Sequence, residues 1–431
     1  MMIYVVKEGD TLFGIARATQ SNPERILLDN GLTKESVLIP GQALLILTPA
    51  SVYTVKEGDT LSVVAAQSGI GRKQLLANNP SLIGRDFLYP GETIVLGYEG
   101  QENRREIIVN GYTYPFINRN LLRRTLPYLT YLTVFTYGFT QEGELVVPDD
   151  EEIIRIAKEY ETAPIMLLST LSPAGTFSNA LSTAIFANAE ARNRLFDRIL
   201  VTMKEKGYYG LDVDFEYVLP QEREAYADFL RELKERLTPE GYLLITALAP
   251  KTSAEQRGLL YEAHDYAAIG RVSDYVLLMT YEWGFTFGPP MAVAPLNKVR
   301  EVLNYGVSEI PAPKVLQGIP NYGYDWTLPF VRDVSKARSL GNIEAVELAE
   351  RYRAEILFDE TAAAPYFFYT DATGREHVVW FEDVRSVGDK IALNESYPLA
   401  GVSYWNIMRE FPQNWNLLNQ LVRVRNVYRS E

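Results

Sequence analysis

A chain of 431 residues that is 47% hydrophobic is long enough for two or three domains and carries ample material for a large core. Cysteine is absent and histidine occurs twice, at His264 and His377, so disulfides, thiolate nucleophiles and His/Cys zinc sites are excluded, no metal or cofactor is expected, and the chemistry must use oxygen groups. The net charge of −13 lacks the basic footprint of a nucleic-acid or anionic-membrane partner, no apolar run reaches the ~18 residues that span a bilayer, and the opening MMIYVVKEGD shows no basic region followed by a hydrophobic segment, so no export signal is expected.

The first hundred residues contain a repeat. YVVKEGDTL at Tyr4 to Leu12 returns as YTVKEGDTL at Tyr53 to Leu61, and each copy continues through a helical stretch, an Asn-containing turn and a Pro-Gly turn before an apolar strand. Each unit reads as strand, helix, helix, strand, over 1–48 and 52–98. The pair resembles LysM modules, small βααβ domains that bind glycans containing N-acetylglucosamine. The resemblance implies a shallow sugar groove between Gly9, Asp10, Thr11 and the turn Pro40, Gly41, and in the second copy between Gly58, Asp59, Thr60 and Pro90, Gly91. Asp10 and Asp59 also suit helix N-caps, and the glycines suit turns. Two weak sites on one chain raise the effective concentration on a polymeric glycan, an anchoring device. This part is nearly neutral at −1, which leaves −12 for the rest, and the polar run YEGQENRR between them reads as a short linker.

From residue 106 onward apolar strand-like runs alternate with helical stretches, the pattern of a parallel α/β fold. Eight runs are visible: 107–116, 131–140, 163–171, 208–217, 242–249, 274–283, 315–322 and 401–407. Eight strands over this length predict a (β/α)8 TIM barrel spanning 106–431, with its active site at the C-terminal strand ends. A helix is predicted at 222–237, with Tyr226, Phe229, Leu230, Leu233 and Leu237 on one stripe. The ~75 residues between the seventh and eighth runs are too many for a loop; a hairpin about Asp371 to Gly374 marks a small α+β insertion at about 327–396.

In the fourth run, GYYGLDVDFEYV, Asp212, Asp214 and Glu216 recur at every second position, so in an extended chain they share one face while Leu211, Val213 and Phe215 share the other. Carboxylates crowded on a buried strand drive their pKa values apart, leaving one group protonated as an acid and its neighbour ionised. The run resembles the D-x-x-D-x-D-x-E signature of glycoside hydrolase family 18, the chitinase-like family. Asp212, Asp214 and Glu216 match its last three acids, followed by the aromatic Tyr217, whereas Tyr209 stands in place of the first acid.

That resemblance implies a retaining hydrolysis in which the substrate's own acetamido group attacks the anomeric carbon, an exception to the rule of two enzyme carboxylates. Glu216 would be the acid and then the base; Asp214 would hold the acetamido nitrogen, with Asp212 behind it. Tyr281 matches the tyrosine that donates to the acetamido carbonyl, Trp405 matches the aromatic floor, and Tyr217, Glu282 and Tyr322 would be further substrate contacts. Glu282 replaces the usual Asp, and the third strand ends LLSTL where S-x-G-G is familiar. The module pair with this variant barrel resembles the spore-cortex N-acetylglucosaminidases of endospore-forming bacteria, which implies a monomer acting on peptidoglycan during germination, deposited in the spore from the mother cell. A chitinase, or a non-catalytic glycan-binding coat protein, are the alternatives.

Overall fold

The computed structural model describes residues 1–85, 87–171 and 176–428. In each N-terminal module two short strands pair antiparallel, Met2–Val5 with Ala43–Ile46 and Pro49–Thr54 with Thr93–Tyr98, and two helices lie between them in sequence: Leu12–Ala18 and Pro23–Asn30, then Leu61–Ser68 and Arg72–Asn78. The repeated residues explain the repeat. Thr11 and Thr60 are the helix N-caps, accepting from the backbone N–H of Gly14 and Val63. Asp10 and Asp59, also suited to capping, instead accept from the hydroxyls of Tyr4 and Tyr53 and from the N–H of Lys7 and Lys56, which ties the loop to the first strand and holds both carboxyls below their usual range. Asn30 and Asn79 close the unit: each amide donates back into its helix and across to the last strand, whose N–H at Leu45 or Val95 it accepts in return.

Eight parallel strands form the barrel: Glu106–Thr113, Tyr131–Phe139, Ala163–Ser169, Gly210–Asp214, Leu243–Leu248, Tyr275–Leu278, Val315–Pro320 and Gly401–Trp405, with the first pairing both the second and the eighth to close the ring. Alternation sorts their side chains. Ile108, Tyr112, Phe135, Ile165, Ile245 and Leu316 belong to one apolar cluster, while Leu211, Val213 and Phe215 join the larger one that includes the helices, among them Arg223–Leu237 with its predicted stripe buried. Most of the observed strands stop short of the apolar runs at their C-terminal ends, because there the backbone leaves the ladder to form the mouth of the barrel. Tyr217 and Glu282, expected on strands, lie in the left-handed region at φ of 59° and 66°.

The insertion is a five-stranded antiparallel sheet running from Gly323 to Trp380, with the helix Asn342–Tyr352 against it. It begins earlier than expected, and Val384–Ser396, assigned to it from sequence, is the helix that returns the chain to the eighth barrel strand.

The modules are not tethered; they are docked. The helix Pro412–Leu421 buries Gln413, Asn416, Asn419 and Gln420, and these amides find partners in the modules or, for Gln420, at the linker carbonyl of Glu99. Gln413 donates to Asn30 and to the carbonyl of Ala43, Asn416 donates to the carbonyl of Asp29, and Asn419 donates to Asn78. Lys73 donates to the Glu161 carbonyl at 2.8 Å, and Tyr128 to that of Ala77 at 3.0 Å. Even the expected linker is fixed: Tyr98 is buried, and Gln101 donates to the carbonyl of Asn419.

The two Pro-Gly turns differ in setting. Pro40 accepts from the N–H of Ile356 in the insertion, and a Cβ placed on Gly41 would fall 1.7 Å from the Ile356 carbonyl oxygen; around Gly91 the same position is open. Both glycines have φ above 80°. Substitution by alanine should therefore cost each module the left-handed penalty of about 1–2 kcal/mol, but Gly41→Ala should lose about 1–3 kcal/mol more from overpacking against the insertion. Urea or thermal midpoints of the two variants test this; equal midpoints would show that the seam yields freely.

Candidate active site

The fourth strand delivers its acids into the barrel. Asp212 is fully buried and accepts a hydrogen bond of 2.5 Å from Tyr112 on the first strand; burial nonetheless pushes its carboxyl up to about 7, with Tyr112 pulling the other way. Asp214, two residues on, is raised well above the usual carboxylate range by burial and then by the charges of Glu216 and Asp212. Glu216 sits two residues past the strand on a turn and is pushed up to about 7 by burial and by the charge of Glu282. One carboxyl oxygen each of Asp212 and Asp214 is buried without a hydrogen-bond partner among the described residues.

That turn is held from below. His264, buried, accepts the N–H of Ala249 on Nδ1, so its Nε2–H donates to the carbonyl of Phe215 at 3.1 Å, between Asp214 and Glu216. Burial lowers the imidazole to about 4, so it remains a neutral donor across the physiological range. Sequence offered only the rarity of histidine as a hint of this role, and Tyr112 lies a hundred residues from its partner with no signal at all.

Tyr281, from the end of the sixth strand, is buried against the same row; burial and the charges of Asp214 and Glu216 raise its phenol well above the usual value, which keeps it protonated as a donor. Gly318 on the neighbouring strand makes room for its ring, since a Cβ there would lie 2.6 Å from the ring edge. Glu282 is fixed by the hydroxyls of Tyr322 and Tyr324, both donating. Trp405 ends the eighth strand with its ring edge-on to Tyr112 and Phe135 at 5.6 and 5.1 Å between centroids. Two cavities meet at Glu282. One of about 290 Å³ is walled by Tyr114, Phe116, Trp405 and, from the insertion, Tyr324 and Ser339; the other, of about 340 Å³, is lined by Tyr261, Tyr281, Trp283 and Lys298. Tyr217 is exposed, its ring 6.4 Å from Phe177.

A barrel whose fourth strand presents this row beside a buried tyrosine matches the family model for glycosyl hydrolases family 18 over residues 95–410. The chain belongs to glycosyl hydrolases family 18. Its modules match LysM domains over 4–46 and 53–97. It is 39% identical to the cortical fragment-lytic enzyme of Bacillus subtilis, over 98% of this chain and 99% of that one. Among solved structures, the spore cortex-lytic enzyme SleL of Bacillus cereus superposes with a TM-score of 0.84 at 37% identity, covering 99% of this chain and 98% of the other. A chitinase from Chromobacterium violaceum covers 73% of this chain and 98% of its own, with a TM-score of 0.68 at 26% identity. As a family 18 member with two LysM domains the protein is a glycoside hydrolase.

The LysM positions are placed unequally. Gly9, Asp10 and Thr11 lie on an open loop, but their facing turn, Pro40 and Gly41, is packed on Ile356 and bonded to Arg385. In the second module Gly58, Thr60, Pro90 and Gly91 are all exposed, with Phe87 and Tyr89 beside them, edge to face at 5.0 Å.

Asp212 makes stability depend on pH. Its folded pKa of about 7 stands above the ordinary 3.8, so the folded state holds the proton more tightly and the stability it supplies is lost as pH rises from about 4 to about 7. Asp212→Asn keeps an acceptor for Tyr112 and removes the titration. It should match wild type near pH 4 and gain across that window, by an amount on the order of 4 kcal/mol above pH 7. Denaturation midpoints at pH 4.5 and pH 8 check the sign; a constant offset would show that Asp212 does not carry the shift.

Proposed function

We propose that this protein is a retaining N-acetylglucosaminidase that hydrolyses the bond after N-acetylglucosamine in spore-cortex peptidoglycan during germination, by substrate-assisted catalysis, while the LysM part anchors it to the glycan. The observation that carries the reading is the row of buried Asp212 and Asp214 and half-buried Glu216 beside the protonated Tyr281, in a chain similar from end to end to proteins described as cortex-lytic.

With its carboxyl at about 7, Glu216 holds a proton that it can give to the leaving oxygen near neutral pH, and once ionised it can activate water. Asp214, next to Glu216 in the row, accepts the acetamido N–H, which turns the acetamido oxygen toward the anomeric carbon. Tyr281 donates to that oxygen as charge develops on the ring formed from the acetamido group. Asp212, kept from full ionisation by burial, lets Asp214 take up negative charge when the intermediate becomes positive. Trp405 is the floor for the reacting sugar, with Glu282 and Tyr322 at its edge. Activity should decline above about pH 7, where Glu216 gives up its proton.

Glu216→Gln keeps the shape and loses the proton. It should bind glycan and lower turnover by at least about a hundredfold, read by mass spectrometry of reduced muropeptides from cortex fragments. New N-acetylglucosamine ends with wild type alone are expected. Equal cleavage by the variant would remove Glu216 from the mechanism, and cleavage of chitin oligomers with no new cortex ends would favour a chitinase.

Anchoring falls to the second LysM module, whose facing loop and turn are both open, whereas the turn of the first is engaged by the insertion. Tyr89→Ala should weaken sedimentation with cortex peptidoglycan by about three- to tenfold while leaving hydrolysis of short soluble fragments unchanged. Unaltered sedimentation would show that binding does not run over this face.

A further inference from the structure

Arg409 lines the 290 Å³ cavity together with Glu282 and Trp405. It is a costly residue to place there. Enclosure lowers its pKa, and no carboxylate lies within ion-pair distance of it among the described residues; its head group donates to Ser339 Oγ at 3.0 Å. Glu344, whose charge acts on it, is itself paired with Arg338, and Glu282 in the same cavity is taken up by Tyr322 and Tyr324. By contrast Lys298, the cation of the adjoining cavity, is neutralised by Glu301 at 2.9 Å.

The position of Arg409 is also built. Buried Asn321, at the end of the seventh strand, donates to the backbone carbonyls of Asn406 and Arg409 at 3.0 and 2.9 Å and accepts nothing shorter than 3.4 Å in return, so the loop after Trp405 is pinned where the guanidinium meets the insertion. A planar, permanently charged fork held next to an aromatic floor, with one hydroxyl as its partner, is suited to a carboxylate arriving on a sugar.

We propose that Arg409 recognises the carboxylate carried on the lactyl arm of the muramyl residue next to the N-acetylglucosamine seated over Trp405, making this site selective for peptidoglycan over chitin, which has no such group. The carboxylate is either that of the lactyl arm itself or that of a short stem attached to it. The proposal rests on the peptidoglycan reading given above.

The test uses full-length wild type, Arg409→Gln and Arg409→Lys on four soluble oligosaccharides: muramyl glycans ending in the free lactyl acid, the same with a single alanine stem, that stem amidated at its carboxyl, and chitin oligomers. For Arg409→Gln, kcat/KM should fall about ten- to a hundredfold on the acid-bearing glycans, chiefly through KM, and stay at the wild-type value on the amidated glycan and on chitin oligomers. Arg409→Lys should recover part of the loss. The acid arm with the larger loss identifies which carboxylate is read. An equal loss on charged and neutral glycans, or no loss on the charged ones, overturns the proposal. If wild type cleaves chitin oligomers and no muramyl glycan, the peptidoglycan reading itself fails, a result distinct from either of those.

Discussion

Desolvation of like charges organises the catalytic half of this molecule. A carboxylate taken out of water must be paired, hydrogen-bonded or protonated, and three of them at alternate positions of one strand cannot all be ionised in the interior of a barrel. Asp212 has Tyr112, Asp214 has one buried oxygen with no donor among the described residues, and Glu216 stands at the mouth against the charge of Glu282. The surrounding groups keep this arrangement in place. His264 holds the turn between the last two acids, the opening at Gly318 admits the Tyr281 ring, and two tyrosine hydroxyls restrain Glu282.

The second constraint is the buried polar seam between the modules and the barrel. A helix that buries four amide side chains on its module-facing side, besides Asn414 against Tyr404, is unfavourable in an isolated barrel, because each of the four pays its desolvation cost without a partner. Here the module carbonyls and asparagines pair with Gln413, Asn416 and Asn419, and the linker carbonyl of Glu99 accepts from Gln420, so the seam has one register. Its consequence is functional asymmetry. A repeat that is symmetric in sequence becomes asymmetric in space, with one Pro-Gly turn serving as a contact for the insertion and the other facing outward. The insertion in turn lends Tyr324 and Ser339 to the cavity wall, so module, insertion and site form a continuous set of contacts.

Much of this was legible in the chain because it is local. The paired modules follow from a repeated string whose residues act within a few positions of one another, as Thr11 does on Gly14 and Asp10 on Lys7. The barrel follows from alternation of strand and helix, and the acid row from a period of two, which places side chains on one face whatever the strand's neighbours are. The hairpin about Asp371 to Gly374 follows from its turn residues. Strand ends were read too long because apolar composition continues past the last ladder bond into the mouth, where Tyr217 and Glu282 turn left-handed.

By itself, then, the sequence determined the modules, the barrel and which carboxylates share a face, since each is set by spacing along one segment. Tertiary structure alone decided what those carboxylates face. Tyr112, His264, Asn321 and Arg409 reach the site from the first, fifth, seventh and eighth strands or the loops after them, and only ring closure makes them neighbours. The docking of the modules was likewise invisible, because buried amides satisfied across a seam look in sequence like ordinary surface residues until the partner surface is in place.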